Sequence, residues 1–226
     1  LNPLPTTTHF FMEAGCDNLG VSFPAKLLRA AGPTFGFFFN ASRSTEGFDP
    51  APYPEPYTGS VAALAAVARG GASVTVGVHA GSFTHWGDAL ESIFSEAQAL
   101  RRYVSGESVK HVALHVSQQS RDFQYYTETD DFWKLCRGSD EMLKRSQLLT
   151  EVVFDDHLTV DTLCQYKVVM LSNSGCLSDS QVEAIREFVN RGGCLIATYQ
   201  SSLLDELGQN RGNFGLADVL GVDLVA

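Results

Sequence analysis

The stretch 177–199, "LSDSQVEAIREFVNRGGCLIATY", decides the fold of the second half of the chain. Ser178 is a suitable N-cap for a helix, and Asp179 places an acid in its first turn. Apolar side chains then recur at helical spacing, at Val182, Ile185, Phe188 and Val189. The glycine pair at 192–193 ends the helix, and the apolar run at 194–199 predicts a strand. A helix followed so closely by a buried strand is one unit of an α/β sheet.

The segments before this stretch repeat the same alternation. Apolar runs predict three more strands, at 109–117, 150–156 and 166–173. The polar, aromatic stretch 118–131 predicts a loop. Helical spacing then begins near Phe132 and runs through Leu135, Met142, Leu143 and Leu148, with Gly138 as a possible interruption. Short connections between alternating strands and helices predict a flavodoxin-like, doubly wound parallel sheet over 108–226.

The first half, 1–107, also alternates strands and helices. Strands are predicted at 8–15, 34–41 and 72–81, and helices at 23–32, before Gly70 and at 86–104. Three β/α units without a partner sheet leave exposed strand edges, a poor way to complete a domain. We therefore expect the chain to be cut from a larger protein, with the 108–226 domain truncated at its C-terminus.

Composition excludes several classes of partner and site. A formal net charge of −10 with no Lys/Arg cluster disfavours nucleic acid. No apolar stretch approaches the roughly 18 residues of a membrane span, and no signal peptide opens the chain, so a soluble, cytoplasmic protein is expected. Five cysteines without Cys-x-x-Cys spacing predict neither a zinc site nor a disulfide framework, and Cys194 is predicted to be a core residue. His111 and His115 lie too far apart along a strand to share a metal, so we predict a structural role for both. We expect no metal and no cofactor.

Several quoted segments resemble a known family. Residues 109–222, above all "LSDSQVEAIREFVNRGG" and "SSLLDELGQNRGNFGLADVLGV", resemble the domain after the catalytic barrel in β-galactosidase-like and α-L-fucosidase-like glycoside hydrolases. That domain has a class I glutamine amidotransferase-like fold and is often called the trimerisation domain, so the resemblance implies a homo-oligomer. "HFFMEAG" and "ALAAVARGGASVTVGVHAGSFTHWG" resemble the last β/α units of the TIM-type barrel in such proteins.

The resemblance implies an empty nucleophile position in the second domain. Related amidotransferases place a catalytic cysteine on a sharp turn between this strand and a helix, where this chain has Tyr199 followed by Gln200 and Ser201. A phenol with a pKa near 10 is a poor nucleophile for amide transfer. No histidine follows His157, so the usual catalytic partner is also missing after this turn.

Glycoside hydrolysis needs two carboxyl groups about 5–10 Å apart. Glu13 follows an apolar strand, where a barrel mounts such groups, although an exposed loop carboxylate explains it equally well. Glu46 and Glu55 are more simply solvated. Where the resemblance implies an acid after Gly77, the chain has Val78 and His79. The candidates for substrate binding, carbohydrate being the expected ligand, are Asn40, His79, His85 and Trp86.

The stretch 118–131 contributes a last set of candidates. Arg121, Tyr125 and Tyr126 are residue types that suit a subunit interface or a carbohydrate rim equally well. The favoured hypothesis is the C-terminal portion of a glycoside hydrolase with a catalytically empty amidotransferase-like domain. The alternative is a non-catalytic carbohydrate-binding or oligomerisation module, and Tyr199 disfavours an active amidotransferase.

Overall fold

The computed structural model separates the chain into two compact units, Leu1–Glu107 and Ser108–Ala226. It describes residues 10–14, 22–32, 35–40, 73–77, 91–92, 94–100, 102–103, 107–125 and 129–225. None of the described helices is both long enough and apolar enough to cross a membrane.

The described part of the first unit contains a parallel three-stranded sheet. Its strands are β1 (Phe10–Ala14), β2 (Phe35–Asn40) and β3 (Ser73–Gly77), hydrogen-bonded in the order β1-β2-β3. Helix α1 (Ser22–Ala31) connects the first two, as parallel neighbours require a crossover. Each strand lies within a predicted run, although each is shorter than predicted. Residues 91–92 and 94–100 are helical, within the helix predicted at 86–104.

The second unit contains a parallel four-stranded sheet with helical connections, which confirms the predicted α/β class. Its strands are β4 (Val112–His115), β5 (Thr150–Val153), β6 (Val168–Leu171) and β7 (Cys194–Ala197), in the order β5-β4-β6-β7. The helices are α2 (Thr129–Arg145), α3 (Val160–Leu163), α4 (Asp179–Asn190) and α5 (Ala217–Leu220). Each strand lies within a predicted run and is shorter than that run.

Helix α4 forms as its sequence predicts. Ser178 Oγ accepts the N–H of Gln181 at 3.3 Å, and Gln181 Oε1 accepts the N–H of Ser178 at 2.7 Å, which completes a capping box. Three members of the predicted stripe are buried in one core with strand residues, namely Val182, Ile185 and Phe188. Gly193 is needed there because a Cβ at that position would overlap the Phe188 ring.

Helix α2 differs from the prediction at its start and on its face. It begins at Thr129 and is continuous through Gly138, because one interior glycine costs about 1 kcal/mol without breaking the hydrogen-bond ladder. Acidic residues in the first turn favour the earlier start. Its buried apolar positions are Phe132, Cys136 and Leu143, whereas Leu135 and Met142 are exposed. Leu148 lies beyond the end of the helix and is also exposed. The predicted loop before it contains a helical turn at Ser120–Gln124.

The prediction that Cys194 is a core residue is wrong. Its strand, β7, lies at the edge of the sheet, and the strand alternates between an exposed face and a half-buried face. Leu195 and Ala197 pack against the core, while Cys194 and Ile196 are exposed on the other face. An apolar run alone does not reveal whether a strand is covered on both faces.

Candidate functional site

In the first unit, strand register brings two candidate residues to one sheet edge. Glu13 is level with Phe38 of β2, and Asn40 is level with Gly77, the last residue of β3. Glu13 and Asn40 therefore belong to the carboxyl ends of neighbouring parallel strands, the edge where barrels carry their active sites. The candidates His79, His85, Trp86 and Tyr126 lie outside the described residues, as do Glu46 and Glu55.

In the second unit, a fully buried histidine joins the carboxyl ends of three adjacent strands. His115 is the last residue of β4, and its Nδ1 lies 2.8 Å from the Oγ of Ser174, which follows β6. Its Nε2 lies 3.2 Å from Oδ1 of Asp155, which follows β5. This second contact is a close approach of the ring nitrogen to the carboxylate that lacks the geometry of a well-formed hydrogen bond.

The Asp155 carboxylate is held in its charged form. It accepts Ser117 Oγ–H at 2.9 Å and the backbone N–H groups of Gln118 at 2.6 Å and Gln119 at 3.2 Å. Burial by itself raises the pKa of this carboxyl, but His115 and these donors together lower the pKa below its ordinary value. Asp155 is therefore an anion at neutral pH.

The order Ser174–His115–Asp155 has the connectivity of a serine-hydrolase relay. Ser174 is only 1% exposed, however, so its hydroxyl cannot meet a substrate in this conformation. The three residues therefore act as a buried polar clasp between strand ends, consistent with the structural role predicted for His115. Each of these three polar residues lies at or just after the end of an apolar run in the sequence. The sequence does not show that the three run ends meet, because that depends on the order of the strands in the sheet.

The turn after β7 carries Tyr199 in an uncommon backbone conformation. Its φ of +52° lies in the left-handed region, and the residue is 80% exposed. Gln200 N donates to Asn173 Oδ1 at 3.1 Å, and Asn173 N donates to Thr198 Oγ1 at 2.9 Å, so side chains fix the turn on both sides. No helix follows through residue 216, which corrects the strand-to-helix turn expected here. The chain instead returns toward the loop that follows β6, because Ser202 N donates to Ser174 O at 2.9 Å.

No exposed thiol lies beside this turn among the described residues. Burial raises the pKa of the Cys136 thiol to about 12 and that of Cys176 to about 11, so both stay protonated and unreactive. In the described part of the chain, the exposed cysteines are Cys164, after α3, and Cys194, at the amino end of β7. Within the described ranges, histidine, cysteine and acidic side chains form no group that could hold a metal.

The remaining candidates divide between the turn and the surface. Tyr125 accepts a hydrogen bond from Asn173 Nδ2 and packs against Phe132 at 5.9 Å between ring centroids, and burial raises its pKa. Arg121 makes an ion pair with the adjacent Asp122 at 2.7 Å. Tyr125 is thus part of the carboxyl edge, whereas the Arg121 charge is balanced locally.

The fold is similar to that of solved glycoside hydrolases. A catalytic mutant of the GH42 β-galactosidase Gan42B from G. stearothermophilus aligns with a TM-score of 0.72 over 92% of this chain, at 16% identity. The α-L-fucosidase isoenzyme 2 of Paenibacillus thiaminolyticus aligns with a TM-score of 0.65 over 93% of the chain, at 17% identity. The chain spans about a third of each, 34% and 32% of their lengths. At these identities the likeness shows a glycoside hydrolase-like fold.

Sequence similarity, unlike similarity of fold, identifies no relative of this chain. No known protein family matches the chain, and no curated protein matches it.

Proposed function

We propose that this chain is part of a glycoside hydrolase. In this proposal, residues 1–107 supply the late β/α units of a TIM-type barrel. Residues 108–226 form a flavodoxin-like, class I glutamine amidotransferase-like domain that serves packing or homo-oligomerisation. The similarity of fold to a β-galactosidase and an α-L-fucosidase over more than nine-tenths of the chain supports this assignment.

The single observation that carries the proposal is the position of Glu13. It lies at the carboxyl end of a parallel strand, one register step before the end of β1, beside the strand that ends at Asn40. A glycosidase carboxylate at this edge faces the loops that bind the sugar. In the proposal, Glu13 is one of the two catalytic carboxyl groups, and Asn40, His79, His85 and Trp86 contact the substrate.

The proposal makes the second domain non-catalytic. Tyr199 replaces a nucleophilic thiol, and the relay-like Ser174 is buried. Arg121, Tyr125 and Tyr126 belong to its rim or interface. The alternative, a binding or oligomerisation module without hydrolysis, is favoured by the exposed ring of Tyr199 at a carboxyl sheet edge, a common place for ligands.

The decisive experiment is turnover of aryl β-galactosides and aryl α-L-fucosides by the complete protein that contains this chain. Glu13→Gln keeps the size of the side chain but cannot ionise or deliver a proton, so turnover should fall by at least about 10²–10⁴-fold. Glu183→Gln is the matched control, because Glu183 is an exposed carboxylate of α4. Equal rates for wild type and Glu13→Gln would remove Glu13 from the mechanism. A wild-type protein that binds saccharides but does not hydrolyse them would favour the alternative. Sedimentation analysis of the same protein tests whether it forms a homo-oligomer.

A further inference from the structure

A stripe of exposed residues runs along helix α2. We define the outer stripe as Asp131, Leu135, Gly138, Met142 and Arg145, whose spacing alternates between four and three residues. This spacing keeps the five residues on one face of a helix and is that of the seam between two helices of a coiled coil. Leu135 is 41% exposed and Met142 50%, so the apolar centre of the stripe is open to solvent. Two large apolar side chains exposed on one helix face are an informative departure from ordinary burial.

Gly138 lies at the centre of the outer stripe, where the chain itself does not require a glycine. No described atom lies within 4 Å of the position that its Cβ would occupy. By contrast, a Cβ at Gly193 would overlap the Phe188 ring. A glycine inside a helix is destabilising relative to alanine, so its presence without an internal reason favours an external one. On an exposed helix face, the missing side chain allows a second backbone to approach closely.

The charges at the two ends of the outer stripe are complementary to each other. Its amino-terminal end is Asp131 and its carboxyl-terminal end is Arg145. If two α2 helices pair antiparallel about a two-fold axis beside Gly138, Asp131 of each copy lies beside Arg145 of the other. A parallel pair would instead place like charges side by side, which is unfavourable. The helix dipoles also favour the antiparallel arrangement, because the positive end of one helix then meets the negative end of the other.

Two further charges flank the outer stripe on one side. Lys134 and Glu141 each come one residue before an apolar member of the stripe. Within the chain, Lys134 Nζ lies 2.8 Å from Asp131 Oδ1, and Arg145 Nη2 lies 2.6 Å from Glu141 Oε1. All four side chains are at least 45% exposed, so they can reach a second copy. Antiparallel pairing brings the two ion pairs together head to tail, and each charge then has an opposite charge on both sides.

We propose that the outer stripe is a homodimer interface, in which two copies of this chain pair their α2 helices antiparallel. This inference rests on the proposed function, in which the second domain serves homo-oligomerisation, and it names the surface and its symmetry. The same face meets itself, so the interface is isologous and closes at two copies. A helix of 17 residues gives a contact about 25 Å long. One such helix pair buries less than the standard interface of roughly 1,600 Å², so we expect a dissociation constant of about 10–100 μM.

The test is sedimentation equilibrium of the 226-residue chain from about 1 to 300 μM, a range that brackets this dissociation constant. A monomer–dimer equilibrium is expected. Gly138→Gln places a polar side chain in the open space, where it meets nothing in its own chain but holds the second backbone away. The dimer should weaken at least about tenfold, the usual result of overpacking. The variant should fold at least as well as the wild type, because glutamine is the better helix former.

Two charge reversals test whether Asp131 faces Arg145 of the other copy. Asp131→Lys and Arg145→Glu each place like charges together at both ends of the dimer, so each variant alone should self-associate at least about tenfold more weakly. In an equimolar mixture of the two variants, every end has opposite charges again. The mixture should therefore recover association to within about threefold of the wild type. Circular dichroism of each variant verifies that α2 remains helical.

Arg191→Glu is the matched control for Arg145→Glu. Arg191 follows α4, and its Nε lies 2.7 Å from Glu187 Oε1, so it is also an exposed arginine paired with a glutamate four residues earlier. Its reversal makes the same change of net charge and should leave the dimer unchanged. A loss from Arg191→Glu equal to that from Arg145→Glu would overturn the proposal, because association would then follow net charge alone.

The other outcomes are equally decisive. No self-association up to about 300 μM, or a mixture of the reversals no better than each variant alone, would overturn the proposal. An oligomer that Gly138→Gln leaves intact would overturn it as well, while the proposed homo-oligomer would stand on another surface. Turnover that depends on Glu13 in a chain that does not pair through α2 would refute this inference and leave the proposed glycosidase intact. A dimer that depends on Gly138 in a protein without turnover would do the reverse.

Discussion

At the scale of single residues, the clasp around His115 shows how this chain tolerates charge in its interior. Asp155 is largely buried, yet three donors and His115 surround its carboxylate. Buried charges are destabilising unless such partners replace water. The clasp therefore couples the ends of β5, β4 and β6, and removing one member leaves the others unsatisfied.

Asp155→Asn should lower the free energy of unfolding by about 2 kcal/mol at neutral pH, because hydrogen bonds to a charged acceptor are stronger than those to an amide. The pKa of Asp155 is depressed in the folded state from an ordinary value of 3.8. Its stabilisation is therefore complete above that value and is lost as the pH falls through the lower, folded pKa. Urea unfolding of wild type and variant at several pH values measures the difference.

The pH series has a clear contrary outcome. The difference in free energy of unfolding between wild type and Asp155→Asn should stay constant near neutral pH and become smaller below about pH 4. If this difference in free energy of unfolding instead grew on acidification, the Asp155 carboxyl would be protonated in the native protein.

Tyr199 allows a test of backbone strain without any ligand. Tyr199→Gly relieves the left-handed conformation but adds freedom to the unfolded chain, so stability should change by less than about 1 kcal/mol. Tyr199→Val places a β-branched residue at the same φ and should destabilise by about 2 kcal/mol. Thermal or urea unfolding of both variants gives the comparison. Equal stabilities would show that the turn relaxes around the substituted residue.

At the scale of elements, prediction from sequence was accurate where local signals agree. Helix α4 has an N-cap, an apolar stripe and a terminating glycine pair, and its predicted limits match within one residue. Helix α2 has no equivalent cap signal in its described residues, so its start and its buried face depend on tertiary packing. Cys194 was misplaced for a related reason, since coverage of β7 depends on what packs against its second face. Tyr199 was identified from its position after a strand, but its φ arises from contacts with Asn173, distant in sequence.

Phe188 tests the packing of α4 on the sheet. Its side chain is 2% exposed, so Phe188→Ala should lower the free energy of unfolding by about 3–5 kcal/mol. Glu183→Ala and Glu187→Ala are the controls on the same helix and should cost less than about 0.5 kcal/mol, because their ion pairs with arginines are exposed. A Phe188→Ala cost as small as that of the controls would place the buried face of α4 elsewhere.

Gly193 and Phe188 should be energetically coupled. Gly193→Ala places a Cβ on the Phe188 ring, so overpacking should destabilise by about 1–3 kcal/mol. In a Phe188→Leu background the same substitution should cost less, since the smaller side chain leaves room. A double-mutant cycle measures this coupling. Additive effects would mean that the chain at Gly193 shifts away from the ring at no cost.

At the scale of the whole molecule, the second unit contains the elements of an independent domain. The core residues that the structure describes here all belong to this unit, from Ala113 of β4 to Leu216 before α5. All four strands of its sheet also come from this unit. A domain that folds separately needs a hydrophobic core formed by its own residues.

We therefore expect the fragment 108–226 to fold alone, with one cooperative urea transition and a stability within the usual range of about 5–15 kcal/mol. Phe188→Ala should lower the stability of the fragment as much as it lowers the corresponding transition in the whole chain, because the ring is buried in the core of this unit. Circular dichroism and tryptophan fluorescence from Trp133 measure both. A fragment that shows no cooperative transition, or a smaller Phe188→Ala effect than in the whole chain, would mean that residues 1–107 supply part of its stability. In that case the two units would form one folding domain.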